Sequence, residues 1–85
     1  MPQIIIYAKN VCPYCVQAKL LLKNKGVVFD EINIEHSPEE LETMIQKSGG
    51  RMTVPQIFID AQHIGGYDDL VALDKAGKLA LLLAK

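Results

Sequence analysis

The 85-residue sequence has no tryptophan, only five other aromatics, two cysteines and no surplus of positive charge. So few aromatics leave no stacking platform for single-stranded nucleic acid. Nine basic against ten acidic residues leave no basic face for a phosphate backbone. Two cysteines cannot make a disulfide-dense scaffold. Nor do they make a structural zinc site, which needs four ligands: beyond the cysteines only His36 and His63 are on offer, far apart in the chain. No metal is expected. The longest apolar stretch near the C-terminus, Leu79 to Ala84, is far shorter than the roughly 20 residues of a membrane span. The opening MPQIIIYAKN lacks the charged start and long apolar stretch of a secretory signal. These absences predict a cytoplasmic protein with neither membrane nor nucleic acid as partner. Thiols there are mostly kept reduced, so two cysteines point to chemistry more than to scaffolding.

What is present is ordinary globular composition, 49% apolar and 22% charged, in a length that suits a single domain over residues 1–85. Charge is uneven along the chain. Residues 1–29 hold Lys9, Lys19, Lys23 and Lys25 and no acid, whereas 30–48 hold six acids against Lys47. Two solvated faces explain this pattern; a mildly positive field around the first segment is the sharper alternative.

Patterning alternates between strand and helix. Gln3–Tyr7 is a short β-branched run, Pro13–Lys25 repeats Cys15, Ala18, Leu21 and Leu22 at helical spacing, and Val28–Ile32 reads as a second strand. A right-handed βαβ unit follows. Ser37, Pro38 and Glu40 form a helix start with a capping box, and Leu41, Met44 and Ile45 supply its buried stripe up to Gly49 and Gly50. Gln56–Ile59 is a third strand. Asp60-Ala61-Gln62 turns the chain into a short fourth through His63 and Ile64. A helix opening at Tyr67 or Asp68 carries Leu70, Leu73 and Ala76, and Leu79, Leu82 and Leu83 suggest a last helical segment. The order βαβ, α, ββα is an α/β domain with a small mixed sheet between helices.

The chemistry lies in Cys12-Pro13-Tyr14-Cys15, just after the first strand and at the start of the first helix. Residues at i and i+3 are helix neighbours, within reach of a disulfide. Cys12 sits where unpaired backbone N–H groups and the positive end of the helix dipole stabilise a thiolate, with Lys9 three residues upstream. Cys15 lies one turn inside, facing the core. Cys12 is therefore the expected nucleophile and Cys15 the resolving thiol. Tyr14 is placed to wall a groove beside Cys12, or to be a plain surface tyrosine.

Two further elements stand out. Pro55 in Thr53-Val54-Pro55 can simply punctuate the start of a strand, or the Val54 backbone can pair with an extended substrate as an added strand. Gly65-Gly66 before a helix near Asp68 offers free amides to a carboxylate; a turn with a capping Asp explains it equally well. His63 reads as packing or edge surface, and His36 as solvent-facing.

Taken together, Tyr7-Ala8-Lys9-Asn10-Val11-Cys12-Pro13-Tyr14-Cys15, Thr53-Val54-Pro55 and Gly65-Gly66-Tyr67-Asp68-Asp69-Leu70 resemble the glutaredoxins, in particular the small bacterial dithiol type. The likeness runs through nearly the whole chain in order and spacing. It implies a thioredoxin-like fold, with a four-stranded mixed sheet flanked by helices. It also implies glutathione as co-substrate and reduction of protein disulfides and glutathione mixed disulfides. By position it implies Lys9 near the glycyl carboxylate of glutathione, Tyr14 beside the groove, and Thr53 with a cis Val54–Pro55 clamp along one edge. Gly66, Tyr67 and Asp68 would hold the γ-glutamyl carboxylate, and Asp69 its ammonium. Gln46 or Arg51 is implied for the other end. A monomer serving reductive enzymes such as ribonucleotide reductase is what the family suggests; relatives that carry iron–sulfur clusters give the alternative, against which Pro13 and Cys15 speak. Ala8 departs from the usual Thr or Ser, and Gly49-Gly50-Arg51-Met52 from the usual loop.

Overall fold

The computed structural model describes residues 2–84. Its elements are β1 (Ile4–Ala8), α1 (Pro13–Asn24), β2 (Asp30–Asn33), α2 (Pro38–Lys47), β3 (Gln56–Ile59), β4 (Gln62–Gly65), α3 (Tyr67–Lys75) and α4 (Lys78–Leu83). The sheet order is β2-β1-β3-β4, with β1 parallel to β2 and the β1–β3 and β3–β4 pairs antiparallel. This is the expected mixed four-stranded sheet.

Strand alternation splits the core into two. Ile4 and Ile6 of β1, with Ile57 and Ile59 of β3, face α1, α3 and α4 through Ala18, Leu22, Leu70 and Leu79. Tyr7 and Phe58 face the other way, onto Met44 of α2 and Ile34, their rings 5.7 Å apart and edge-on. Both faces of the two central strands are covered, which is why β1 and β3 read as continuous apolar runs.

Helix starts follow local chemistry. Ser37 caps α2, its Oγ accepting the Glu40 N–H at 3.4 Å, with Pro38 in the first turn. The capping box is only half formed, because the Ser37 N–H donates to the Ile34 carbonyl at 3.3 Å instead. The β3–β4 hairpin turns on Asp60 and Ala61 alone, both with φ near +50 to +66°, as a two-residue type I′ turn demands. Asp60 is held there because its backbone N–H donates to the Gln3 carbonyl and its carboxylate accepts the Gln3 N–H, each at 2.8 Å. Gln62 therefore begins β4 rather than ending the turn. The first two strands also sit later than their composition suggests. Pairing of β1 with β2 runs from Ile5↔Asp30 to Ala8↔Asn33, while Val28 stands exposed and only Val27 and Phe29 pack inward. β-branched character at Val28 found no partner strand, so hydrogen-bond register set the boundary.

Leu22 lies fully buried where α1 meets the sheet. Leu22→Ala is expected to lower unfolding stability by about 2–5 kcal/mol, read from urea denaturation. A loss within about 0.5 kcal/mol, the size of an ordinary surface change, would contradict this account of the core.

Candidate active site

The end of β1 delivers the chain to Cys12, which is the N-cap of α1 in extended conformation, with Pro13 following in the first turn. One turn of helix brings Cys15 back over it. The two sulfurs are joined, with 5.2 Å between the Cα atoms. Cys12 Sγ accepts the Cys15 backbone N–H at 3.1 Å, so the sulfur itself caps the helix. The pair is unequal in access, as its positions predict: Cys15 is 1% exposed, and Cys12 only half-buried.

Against this helix end lies a cavity of about 220 Å³ lined by Tyr14, Arg51, Thr53, Val54, Pro55, Gly66, Tyr67, Asp68 and Asp69. Three separate stretches of sequence thus converge on one groove. The Val54–Pro55 peptide is cis, and the Val54 carbonyl oxygen stands 4.0 Å from Cys12 Sγ. Tyr14, 62% exposed, leans over Tyr67 with ring centroids 6.1 Å apart, joining the start of α1 to the start of α3. Of the glutathione-contact residues that the resemblance implies, Lys9 and Gln46 are not part of this lining, and neither are the two cysteines; Lys9 is exposed on the loop before Cys12. That loop is tied down next door, where Asn33 Nδ2 donates to Asn10 Oδ1 at 2.6 Å and Asn10 donates to Glu35.

Of the two residues left open, Gln46 and Arg51, one lines the cavity. Gln46 is exposed and donates to Glu42, whereas Arg51 reaches the cavity. Buried Ser48 shapes the approach, its hydroxyl accepting the Arg51 N–H at 3.2 Å beyond the Gly49-Gly50 turn. Arg51 Nη1 then pairs with Asp69 Oδ2 at 3.2 Å. The same Asp69 oxygen accepts the Gly66 N–H at 2.9 Å, reaching back from the third position of α3. That hydrogen bond, more than the Arg51 guanidinium beside it, holds the Asp69 carboxyl below the usual carboxylate range. Gly65 makes room for it. With φ +116°, Gly65 occupies backbone space that side chains rarely adopt, and a Cβ there would stand 2.7 Å from the Asp69 carboxyl carbon. Gly65 is thus a consequence of the capping carboxylate. The next N–H groups of α3, on Tyr67 and Asp68, have no acceptor within the helix.

His63 lies half-buried in β4, stacked on Phe58 with centroids 5.0 Å apart. Burial lowers its pKa, Arg51 adds to the effect, and Asp69 opposes it. Among the described residues, no group of three or more His, Cys, Asp or Glu is placed to hold a metal, and no helix is long and apolar enough to cross a membrane.

A βαβ–ββα core with a dithiol at the first helix tip defines a thioredoxin-like thiol–disulfide oxidoreductase. The glutaredoxin family model matches residues 4–64. Glutaredoxin 3 of Escherichia coli K12 is 58% identical over 83 residues, which cover 98% of this chain and 99% of the relative. The solution structure of a Brucella melitensis glutaredoxin superposes with TM-score 0.85 at 51% identity, covering 98% of this chain and 89% of the other. A buckwheat glutaredoxin crystallised with glutathione superposes with TM-score 0.87 at 28% identity, covering 98% and 77%. The chain belongs to the glutaredoxin family, whose members are glutathione-dependent oxidoreductases.

Two pH effects follow from the site. Asp69 contributes its stabilisation fully above its ordinary pKa of 3.8 and loses it as pH falls through the lower folded value. The stability gap between wild type and Asp69→Ala, about 1 kcal/mol or less at this half-exposed position, should close in that acid window. A gap independent of pH would show the carboxylate charge to be irrelevant. His63, also depressed, contributes fully above 6.5, and its share falls as pH drops from there towards its folded pKa. That loss should be missing from His63→Asn in urea titrations between neutral and mildly acid pH.

Proposed function

We propose that the groove beside Cys12 binds glutathione and that Cys12 performs the exchange. The observation that carries this is the junction itself: the accessible sulfur of the pair caps a helix and stands 4.0 Å from the Val54 carbonyl, on a segment that edges a cavity together with a second helix start. Once reduced, the Cys12 sulfur keeps the Cys15 N–H as a donor to its negative charge, and the helix dipole acts in the same direction. Cys15 is sealed in the core and lacks that access.

Glutathione has charged ends that separate groups of the cavity can meet. It carries two carboxylates and an ammonium. The Tyr67 and Asp68 amides suit its γ-glutamyl carboxylate, and Arg51, with Lys9 at the rim, suits the glycyl end. Thr53, Val54 and Pro55 align its backbone as an added strand. Tyr14 and Tyr67 wall the side above the disulfide. Asp69 anchors Gly66 and Arg51, and its role towards the ligand ammonium is secondary to that.

The reaction runs as two exchanges. The Cys12 thiolate attacks the glutathione sulfur of a mixed disulfide; the protein thiolate leaves and takes a proton, and Cys12 is left bonded to glutathione. A second glutathione thiolate attacks that glutathione sulfur, releasing oxidised glutathione and the Cys12 thiolate. With a protein disulfide, Cys12 first bonds to one substrate sulfur. The Cys15 thiolate then attacks Cys12 Sγ, freeing the reduced substrate and closing the Cys12–Cys15 bridge, which two glutathiones reopen. Protein disulfides, glutathionylated proteins and reductive enzymes such as ribonucleotide reductase are the proposed partners. The proposed setting is a cytoplasmic monomer; its reading as one domain is supported by two cores that share one sheet.

Single substitutions test this division of labour. Cys12→Ser should reduce both activities to background. Cys15→Ser should keep turnover of glutathione mixed disulfides and lose the dithiol route to protein disulfides. Equal loss in both variants, measured by glutathione-coupled disulfide reduction, would overturn the assignment.

A further inference from the structure

One polar side chain enters the core of β3. Gln56 is 0% exposed, and the three residues after it, Ile57, Phe58 and Ile59, are apolar and buried. A buried amide is costly unless every group is engaged, and here every group is. Gln56 Nε2 donates to the Thr53 carbonyl at 3.0 Å and lies 3.4 Å from Thr53 Oγ1. Gln56 Oε1 lies 2.7 Å from His63 Nε2. An amide oxygen only accepts, so His63 Nε2 carries the proton, in the neutral ring as in the charged one.

We infer that Gln56 is a positioning residue for glutathione: it fixes Thr53, and through it the Val54 backbone beside Cys12, from inside the core, with His63 locking the amide the right way round. The inference rests on the proposed glutathione groove. Gln56 does not line that groove; it acts on the segment that does. Thr53 begins the stretch whose Val54 carbonyl stands beside the reactive sulfur. Without the Gln56 donors, that stretch loses its anchor from inside the core, and the hydrogen bonds it offers an extended ligand lose alignment. The His63 link makes the device directional. If Oε1 lost its donor, the amide could rotate and present oxygen to the Thr53 carbonyl, a repulsive contact. Protonation of His63 leaves the Nε2 proton in place, so the clamp holds in both charge states.

The test uses the whole protein and a mixed disulfide of glutathione with a small thiol. Gln56→Met keeps the volume and removes the donors. Loss of one or two hydrogen bonds to the groove should raise KM roughly three- to tenfold, with kcat and the thiol titration of Cys12 unchanged. His63→Leu, half-buried and outside the groove lining, should raise KM in the same direction by less; it stands alone as the readout if Gln56→Met does not fold. Wild-type KM in every variant that folds would overturn the inference, and so would a fall in kcat or a shifted thiol titration at unchanged KM. Wild type separates the two failures. If its turnover does not saturate with the glutathionyl substrate, the groove reading falls. If it saturates and the variants match it, only the role of Gln56 falls.

Discussion

Everything about this site depends on one hydrogen bond, from the Cys15 backbone N–H to Cys12 Sγ at 3.1 Å. It makes a sulfur the cap of α1, a task that usually falls to a hydroxyl or carboxylate oxygen. A capping atom must sit outside the first turn and face the unpaired donors, so Cys12 is kept accessible and near the positive end of the helix. The same turn of helix carries Cys15 inward against the core. Accessibility, electrostatic bias and the asymmetry between the two thiols thus come from a single geometric arrangement. Strand β1 supplies the platform: it is paired on both sides, and the chain leaves its end into the loop that precedes Cys12.

The groove is assembled differently, from parts that hold one another. Ser48 shapes the turn that presents Arg51, Arg51 pairs with Asp69, Asp69 ties the Gly66 N–H, and Gly65 gives Asp69 its room. Apart from Ser48 and Gly65, none of these groups is buried, and each contact is modest in energy. Together they determine where the first turn of α3 lies relative to the Thr53–Pro55 edge. A ligand held between those two elements reads the summed geometry of the chain.

Sequence displayed the parts whose causes are local. A dithiol at i and i+3, a Ser-Pro helix start, a short strand after Pro55 and a Gly-Gly break each depend on neighbours in the chain, and the structure has them at or within a residue of the expected places. What lay hidden depends on contacts between distant residues. Val28 looked like strand because it is β-branched, yet β1 offered hydrogen bonds only from Asp30 onward. Glu40 looked like half of a capping box, yet the Ser37 N–H had a carbonyl at Ile34. Gln56 looked like a plain strand residue, and its meaning comes from Thr53 on one side and from His63 across the hairpin. Arg51 and Gln46 were indistinguishable as cations or amides near a loop; the Gly49-Gly50 turn separated them.

The Arg51–Asp69 pair also bears on how a zwitterionic peptide can enter a groove whose guanidinium is already paired. A buried ion pair would resist exchange, since breaking it leaves a charge without water or partner. This pair is close to half exposed on both sides, so each partner keeps access to solvent while it releases the other. Asp69 has a second donor in Gly66 and remains ionised without Arg51. The guanidinium, by contrast, has spare donors in its fork, and can accept a carboxylate while still touching Asp69. Charge in the groove therefore does not need to be stripped and rebuilt for each ligand. A site that must bind one glutathione, release it as a disulfide and accept the next gains turnover from such weak, shared contacts, whereas tight pairs would trap the intermediate on Cys12.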